Sequence, residues 1–595
     1  MTTNSALPNA EGVHWDLSRL VTDADEARRE VDEVVKRCHA FADRYRGTIA
    51  TIDAPTLAAL LEELGDLDRD LSRIGSYAHL RESVDATGAE TRDLVALMGR
   101  TFVDVGNALR FVELEWVAVD EARAEELIAS PEVAADRHHL RSIRRFAPHM
   151  LSEPEERMLA ERAPAATSAW HTLFGQLTST LETEFDAGSG PEPHGIDRLL
   201  SYVREPERDL RQRALTALYD MLRPHAPTVA HTYDTLVADR LAMDTLRSYS
   251  GPMERAHLSN ELTAPIVDGV MDAVDRHYPL AQRWFRAKAE ILGLERLTLA
   301  DQYAPIGDGR TVYFDEAMSL VVSAFSSFSP EIAEVATSFV DEERVDAEPR
   351  NGKRGGAFCS PISDRVRPFV LLNHTDRMAD VLTIAHEFGH GMHFQFSFAH
   401  QTPLSATSGI ALAEVPSTFA EQITYDHLLA NETDPATRRA LACERVEAAF
   451  ATIFRQVVLA RYEQTPYAPR AAGTALTADR LGDAWFAANE AYYGDAMELP
   501  EDYRLGWSYI PHFIHTRFYT YSYAFALLVS LALVGRYRRD GDAFATAYLD
   551  FLRSGGSAPP AELLARLGLD ITAPAAWDEG FAELERMIAE AQAAA

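Results

Sequence analysis

One short segment, His386-Glu387-Phe388-Gly389-His390, has residue types and spacing suited to metal-assisted hydrolysis. On an α-helix, residues four apart lie about 40° apart around the axis and one turn apart along it. The imidazoles of His386 and His390 can therefore reach one zinc ion from the same face. Glu387 stands about 100° further round. At that place a general base for a zinc-activated water is expected.

Two histidines do not complete a catalytic zinc site, which commonly takes three protein ligands and leaves one position for water. His393 lies about 10 Å along the axis from His386, so one straight helix can hardly bring both to the same ion. The longer HExxHxxGxxH pattern also fails, because His393 and Phe396 stand where it needs Gly and His. We therefore expect the third ligand from another element, with a carboxylate as the expected type.

The histidine pair must lie on a long helix that packs against a second one. No proline interrupts residues 376–400, so a single helix can hold the pair rigidly. The next helical segment, 409–430, carries Glu414 and Glu421 on one face, because they are seven residues apart. A simple antiparallel hairpin places Glu421 nearer the level of His390. Spacing alone leaves both glutamates open as the third ligand.

The stretch 344–372 is the one part of the sequence that resembles a sheet, with a strand predicted over 366–372. This small β element immediately precedes the histidine-bearing helix. Within it, Gly355, Gly356 and Ala357 would let a substrate backbone approach closely and pair as an extra strand. A flexible turn is an equally good interpretation of these three residues.

A second candidate group lies near the C-terminus, where residues 507–523 are rich in Tyr and His. Attack on an amide places negative charge on its oxygen, and neutral Tyr hydroxyl or imidazole N–H donors stabilise that charge. Most of these side chains are expected in the core, but a dry core rarely holds so many hydroxyls, since each needs a partner. One or two should face a cleft. The candidates are His512, His515, Tyr509, Tyr519, Tyr521 and Tyr523.

Composition indicates a large globular protein with more than one structural unit, since the chain has 595 residues, 47% of them hydrophobic. A formal net charge of −34 argues against nucleic acid and anionic membranes as partners. The longest apolar run, near 523–535, is too short to span a bilayer, and the N-terminus lacks a signal-peptide pattern. Three cysteines without a CxxC pair indicate a reducing compartment. A cytoplasmic location is therefore predicted.

Helical periodicity dominates the chain, which predicts a mostly α fold. The best candidate for a domain boundary is the Gly- and Pro-rich segment 187–195. We therefore predict an N-terminal helical domain over residues 1–195 and a catalytic domain over residues 196–595.

Four segments stand out together by their order and spacing. They are GKRGGAFC (352–359), LTIAHEFGHGMH (382–393), LAEVPSTFAE (412–421) and IPHFIHTRFYTYSYAFA (510–526). In this combination the chain resembles the oligoendopeptidase F family, within the thimet oligopeptidase-like zinc metallopeptidases. The agreement runs from about residue 200 to the end, and the N-terminal part matches more loosely.

The resemblance implies that Glu414 is the third ligand of a single zinc ion. It also implies that His512 and a tyrosine among Tyr519, Tyr521 and Tyr523 contact the substrate or the oxyanion. The fold implied is mostly α, with two helical halves enclosing a deep channel that admits short peptides and excludes folded proteins.

The function predicted is that of a cytosolic zinc endopeptidase that hydrolyses oligopeptides. Glu387 takes the proton of the zinc-activated water and later delivers it to the leaving amine. The alternative is a zinc carboxypeptidase on the same scaffold, which needs a cation for the terminal carboxylate, such as Lys353, Arg354 or Arg517. A non-catalytic peptide-binding protein is a further alternative, disfavoured because every catalytic residue type is present.

Overall fold

The computed structural model describes residues 10–307 and 310–593, and this part of the chain is mostly α-helical, as predicted. Residues 1–9, which contain part of the N-terminus assessed for a signal peptide, lie outside the described residues. The helices are α1 Ala24–Tyr45, α2 Ala54–Val84, α3 Ala89–Leu109, α4 Phe111–Ala118, α5 Glu121–Ala129, α6 Arg137–Arg144, α7 Glu153–Arg162, α8 Thr167–Thr180, α9 Ile196–Ser201, α10 Arg208–Leu222, α11 Ala226–Leu246, α12 Glu254–Ser259, α13 Ala264–Arg276, α14 Tyr278–Ile291, α15 Phe314–Phe328, α16 Pro330–Asp341, α17 Met378–His400, α18 Ile410–Asn431, α19 Pro435–Thr452, α20 Phe454–Gln464, α21 Tyr467–Ala471, α22 Ala478–Tyr493, α23 His512–His515, α24 Tyr521–Asp540, α25 Asp542–Ser554, α26 Pro560–Arg566 and α27 Ala575–Ala593.

Short strands form three small sheets in the described residues. The strands are β1 Glu182–Asp186, β2 Pro191–Gly195, β3 Leu297–Thr298, β4 Val345–Asp346, β5 Phe358–Ser360, β6 Phe369–Leu371 and β7 Met497–Glu498. β1 pairs with β2, β3 pairs with β7, and the third sheet has the order β4-β6-β5. Sequence reasoning predicted sheet only in 344–372 and missed the first two pairs.

The segment predicted to be a linker is part of the β1–β2 hairpin, with Glu182 opposite Gly195. Gly188 and Gly190 turn the chain with φ of 116° and 103°, which glycine adopts without steric cost. The Asp186 carboxylate accepts hydrogen bonds from both glycine N–H groups. Glycine and proline therefore mark a tight turn here, in place of an open connection.

Contacts divide the chain into two compact units, each assembled from separate segments. Unit 1 comprises Met1–Ala160, Gly309–Asn431 and Leu533–Asp570. Unit 2 comprises Glu161–Asp308, Glu432–Ala532 and Ile571–Ala595. The predicted boundary after residue 195 lies inside unit 2, and the division into 1–195 and 196–595 stays a prediction.

In unit 1, the β4-β6-β5 sheet lies beside α17. β6 is central and fully buried, parallel to β4 and antiparallel to β5. Val370 of β6 faces Cys359 of β5 across the ladder. β5 pairs with β6 on one side only, so it forms an edge of this sheet.

Helix α17 begins where the Asp380 carboxylate accepts hydrogen bonds from the N–H groups of Thr375 (2.7 Å) and Arg377 (3.1 Å). A carboxylate in the first turn satisfies donors that lack helical partners and also interacts favourably with the helix dipole. The helix then continues without a break to His400. It packs along α18, which begins at Ile410, within a residue of the predicted start.

None of the helices in the described ranges combines the length and apolar character that crossing a membrane requires. The apolar run at 523–535 belongs to α24 and is largely buried, as expected for a core helix. Cys38, Cys359 and Cys443 are free thiols.

Candidate active site

His386 and His390 of α17 meet Glu414 of α18 in one cluster. Glu414 Oε2 lies 3.6 Å from His386 Nε2 and 3.4 Å from His390 Nε2. Among the described residues, these three form the one group of potential metal-binding side chains whose ligand atoms all lie within 4.8 Å of one another. Ligand atoms at zinc–ligand distances in a tetrahedral site lie about 3.3 Å apart. The donor types and spacing therefore fit zinc.

Glu421, the other third-ligand candidate from the sequence, is not a member of this cluster. Its Oε1 lies 2.5 Å from His386 Nδ1, the ring nitrogen that does not face Glu414. A carboxylate on the outer nitrogen of a metal-binding imidazole fixes its tautomer and orientation. The hairpin estimate, which placed Glu421 at the level of His390, is wrong in this respect. Sequence reasoning missed the orienting role, although the spacing of seven from Glu414 was visible.

The helices cross at Gly389, which explains the error. A Cβ at Gly389 would lie 2.6 Å from Ser417 Cα and 2.8 Å from the Pro416 carbonyl oxygen. Only a residue without a side chain allows α17 and α18 to approach this closely. Ser417 lies between the two glutamates in sequence, so Glu414 falls on the His390 side of the crossing and Glu421 on the His386 side.

We expect Gly389→Ala to disrupt the metal-binding cluster. Its methyl group meets backbone atoms of α18, so the helices must separate, at a cost of about 1–3 kcal/mol of unfolding free energy. Separation also moves Glu414 away from both histidines, so bound metal should fall. Thermal unfolding and metal analysis of the purified variant measure the two effects.

Gly99→Ala is the matched control, because Gly99 lies in α3 and a Cβ there meets nothing within 4 Å. It should retain metal and gain about 1 kcal/mol from the better helix propensity of alanine. Wild-type metal content and stability in Gly389→Ala would contradict the proposed role of the close approach.

Glu387 is 7% exposed, and its charge acts on Cys359 of β5 as well as on the neighbouring cluster. Burial raises its pKa, and the neighbouring His386 and His390 partly offset that effect. Burial and the charge of Glu387 together raise the pKa of the Cys359 thiol well above its ordinary range. The general-base candidate therefore lies close to the edge strand.

The cluster favours positive charge. Burial lowers the pKa of His386, but the hydrogen bond with Glu421 and the charges of the nearby carboxylates outweigh it and bring the pKa to about 9. Burial raises the pKa of Glu414, yet contact with His390 and the charge of His386 bring it down to about 2. A proton on His386 supplies positive charge that a bound cation would also supply.

His393 is buried and does not join the cluster, as the helix geometry predicted. Its ring lies against those of Phe394 and Phe551, with centroids 6.0 and 6.4 Å away. Burial lowers its pKa to about 3, so this imidazole is neutral. It is a core residue of unit 1.

Gly355, Gly356 and Ala357 lead directly into β5. Gly356 has a φ of 81°, and the Asn373 amide donates hydrogen bonds to the carbonyl oxygens of Gly356 (2.7 Å) and Arg354 (2.9 Å). The loop is therefore held in place, which the sequence did not indicate. A cavity of about 370 Å³ opens here. It is lined by His79, Arg354, Gly355, Ala357, Phe358, Cys359, Ser360 and Pro361.

In unit 2 the structure separates the three candidate tyrosines. Tyr519 and Tyr523 are half-buried and lie with His512, at ring-centroid distances of 6.0 and 6.1 Å from the imidazole. Burial and the charge of Arg455 lower the pKa of His512, which favours the neutral imidazole. Tyr521 is fully buried and its hydroxyl accepts a hydrogen bond from Asn260 at 3.1 Å. The structure does not bring Tyr521 together with the other two.

Comparison with known proteins shows which proteins this chain resembles. Two family models match the chain, Peptidase family M3 over residues 321–583 and Oligopeptidase F over residues 115–182. Oligopeptidase PepF of Bacillus subtilis is 26% identical over 558 residues, covering 93% of this chain and 82% of that protein. Group B oligopeptidase PepB of Streptococcus agalactiae is 25% identical over 586 residues, with coverages of 98% and 96%.

The fold also matches a solved structure. Oligoendopeptidase-F from Enterococcus faecium superposes with a TM-score of 0.72 at 23% identity, covering 96% of this chain and 98% of that one. Fold, matched models and the His-His-Glu cluster together define a metallopeptidase. The chain belongs to the oligoendopeptidase F family, within peptidase family M3, and its curated relatives are named oligopeptidases.

Proposed function

We propose that this metallopeptidase is a zinc-dependent endopeptidase of short peptides, with one zinc ion per chain held by His386, His390 and Glu414. The observation that carries the proposal is the position of Glu414 Oε2, 3.4 and 3.6 Å from the two histidine Nε2 atoms. Two imidazoles and one carboxylate form a known catalytic zinc set with one position left open. A zinc ion held in this way supplies Lewis acidity, which lowers the pKa of water and polarises a carbonyl group.

Glu387 is the proposed general base and acid. It follows His386 in sequence and is not a member of the ligand cluster, so its carboxylate is left for proton transfer. Its raised pKa brings proton affinity closer to neutral pH, which suits a group that takes a proton from water and returns it to the leaving amine. Glu421 holds His386 through Nδ1, which keeps Nε2 available as a ligand.

The proposed oxyanion donors are His512 and one of Tyr519 and Tyr523. A neutral imidazole and a phenol donate hydrogen bonds without bringing a formal charge, and both tyrosine rings lie within about 6 Å of the imidazole. The fully buried Tyr521 is a weaker candidate than its neighbours.

The proposed binding site for the substrate backbone is the loop Gly355-Gly356-Ala357 with the edge strand β5. A peptide strand added to an open sheet edge is recognised through main-chain hydrogen bonds, and therefore with little demand on its side chains. The two glycines leave space for the approach of that backbone. Oligopeptides of varied sequence are accordingly the proposed substrates. A cytoplasmic location is proposed as well, supported by the three free cysteines.

A zinc carboxypeptidase remains the alternative. Such an enzyme would need a cationic side chain to bind the terminal carboxylate of the substrate, and the three candidates differ in their surroundings. The Lys353 ammonium is fully buried and pairs with Asp346 at 2.7 Å. Arg517 donates to the carbonyl oxygen of Leu236 at 2.9 Å. Arg354 is exposed and lines the cavity beside β5, so it is the strongest of the three candidates.

One experiment separates these possibilities. Peptides of about ten residues, either free or blocked at both ends by acetyl and amide groups, are incubated with the enzyme, and the products are identified by mass spectrometry. We expect internal cleavage of both forms at similar rates, loss of activity with a chelator, and recovery with added zinc. Removal of C-terminal residues from the free peptide alone would establish the carboxypeptidase. Full activity after exhaustive metal removal would refute both.

A further inference from the structure

Phe518 has a backbone conformation that bulky residues rarely adopt. Its φ is 56°, and its side chain is 1% exposed. Such a conformation persists only where surrounding contacts hold it. Phe518 lies between α23 and α24, directly before Tyr519. The conformation of this residue therefore determines the direction in which the Tyr519 side chain leaves the backbone.

Glu463 supplies the contact that holds this turn. It lies in the last turn of α20, is 0% exposed, and its Oε2 accepts the Phe518 N–H at 2.8 Å. A buried backbone N–H without an acceptor is strongly unfavourable, so the carboxyl oxygen favours this arrangement of the turn. The Tyr467 ring packs on the Phe518 ring with centroids 5.1 Å apart.

The surroundings of the Glu463 carboxyl group are unfavourable for a charged side chain. Its other oxygen, Oε1, has no hydrogen-bond partner among the described residues. Burial raises the pKa of Glu463 to about 8, and the Phe518 N–H and the charges of Arg517 and Arg240 offset that effect only in part. A neutral carboxyl group still accepts the Phe518 N–H through its carbonyl oxygen. The turn therefore needs an acceptor at this position and does not need a negative charge.

The turn also brings together the candidate donors of unit 2. The His512 and Tyr519 rings are nearly parallel, with an interplanar angle of 8°, and Tyr523 meets Tyr519 edge-on at 4.8 Å. Displacement of Phe518 would disturb this three-ring group first at Tyr519.

We propose that Glu463 is a positioning residue, which fixes the left-handed turn at Phe518 and thereby directs the Tyr519 hydroxyl for oxyanion stabilisation. It acts through Tyr519 and does not itself touch the substrate. The inference rests on the proposed function, in which Tyr519 is a candidate oxyanion donor.

A double-mutant cycle tests the proposal. The variants are Glu463→Leu, Glu463→Gln, Tyr519→Phe and Glu463→Leu combined with Tyr519→Phe, each assayed for kcat, KM, bound metal and thermal unfolding. We expect Tyr519→Phe to lower kcat about 100-fold, in the range seen for loss of one oxyanion donor. Glu463→Leu should lower kcat about 10–100-fold, since misplacement by about 1 Å has an effect of that size. KM and bound metal should stay unchanged.

Two expected results are specific to a positioning role for Glu463. The double variant should be no slower than Tyr519→Phe alone, because Glu463 acts only through that hydroxyl. Glu463→Gln, which keeps a carbonyl acceptor of the same size, should remain within about 5-fold of wild type. An additive double variant, or equal losses in the Gln and Leu variants, would overturn the proposal.

If Glu463→Leu does not fold, Glu463→Asp replaces it. Aspartate keeps the carboxyl group but shortens its reach by one methylene, so kcat should fall, and wild-type activity would overturn the proposal. A failure of the proposed peptidase function would give a different experimental result. A wild-type enzyme that cleaves no peptide refutes the proposed function, whereas an active wild type with an equally active Glu463→Leu variant refutes only the role of Glu463.

Discussion

Replacement of Glu387 by Gln is expected to lower kcat about 10²–10⁴-fold while the metal stays bound. The amide has nearly the same shape as the carboxylate but cannot take a proton from water. Glu387 is not among the three clustered ligands, so the metal should remain at the wild-type stoichiometry. Peptide turnover measured beside metal content by elemental analysis tests both parts.

The matched control is Glu331→Gln, the same chemical change at an exposed glutamate that pairs with Arg553 on the surface of unit 1. It should leave turnover and metal content unchanged, and surface pairs of this kind contribute at most about 1 kcal/mol to stability. Full activity of Glu387→Gln would remove Glu387 from the mechanism. Loss of metal in that variant would instead make it a ligand.

The second large effect is expected at Glu414. Glu414→Ala removes the carboxylate that lies beside both histidine Nε2 atoms. Loss of a residue that only hydrogen-bonds to a metal ligand typically lowers metal affinity about 10–100-fold. Because Glu414 is itself a proposed ligand, its loss should lower zinc affinity by more than that. Glu421→Ala removes the partner of His386 Nδ1 and should fall within that range. Competition with a chromophoric chelator measures both affinities.

Glu421→Gln provides a further control, because its amide oxygen still accepts a hydrogen bond from the imidazole. It should bind zinc more tightly than Glu421→Ala. A larger loss of zinc in Glu421→Ala than in Glu414→Ala would exchange the two roles and refute the ligand assignment.

The sequence predicted most of this site because local spacing determines it. His386 and His390 share a helical face at any packing angle, and the uninterrupted stretch after residue 376 indicated the helix that carries them. The choice between Glu414 and Glu421 depends on where two helices cross. That crossing depends on contacts at Gly389, whose partners are distant in sequence. The resemblance to the oligoendopeptidase F family indicated Glu414 as the third ligand, whereas the hairpin argument did not.

Other features escaped prediction for the same physical reason. The buried Tyr521 hydroxyl has its partner in Asn260, which is 261 residues away. The turn at Phe518 depends on Glu463 in another helix. The β1–β2 hairpin shows the opposite case, since its Gly- and Pro-rich turn was visible but its short strands were too polar to be recognised. The mostly helical fold was predicted correctly because amphipathic periodicity is a local property.

The segmented composition of unit 1 has a consequence for protein synthesis. Its N-terminal segment ends at Ala160, but its last segment reaches Asp570. At ordinary translation rates, the early helices therefore wait about 20–80 s for their final partners to leave the ribosome. During that interval the apolar faces that later join this core stay incompletely covered. Chaperone binding to nascent chains should accordingly concentrate on residues 1–160, and it should end only after residue 570 has emerged.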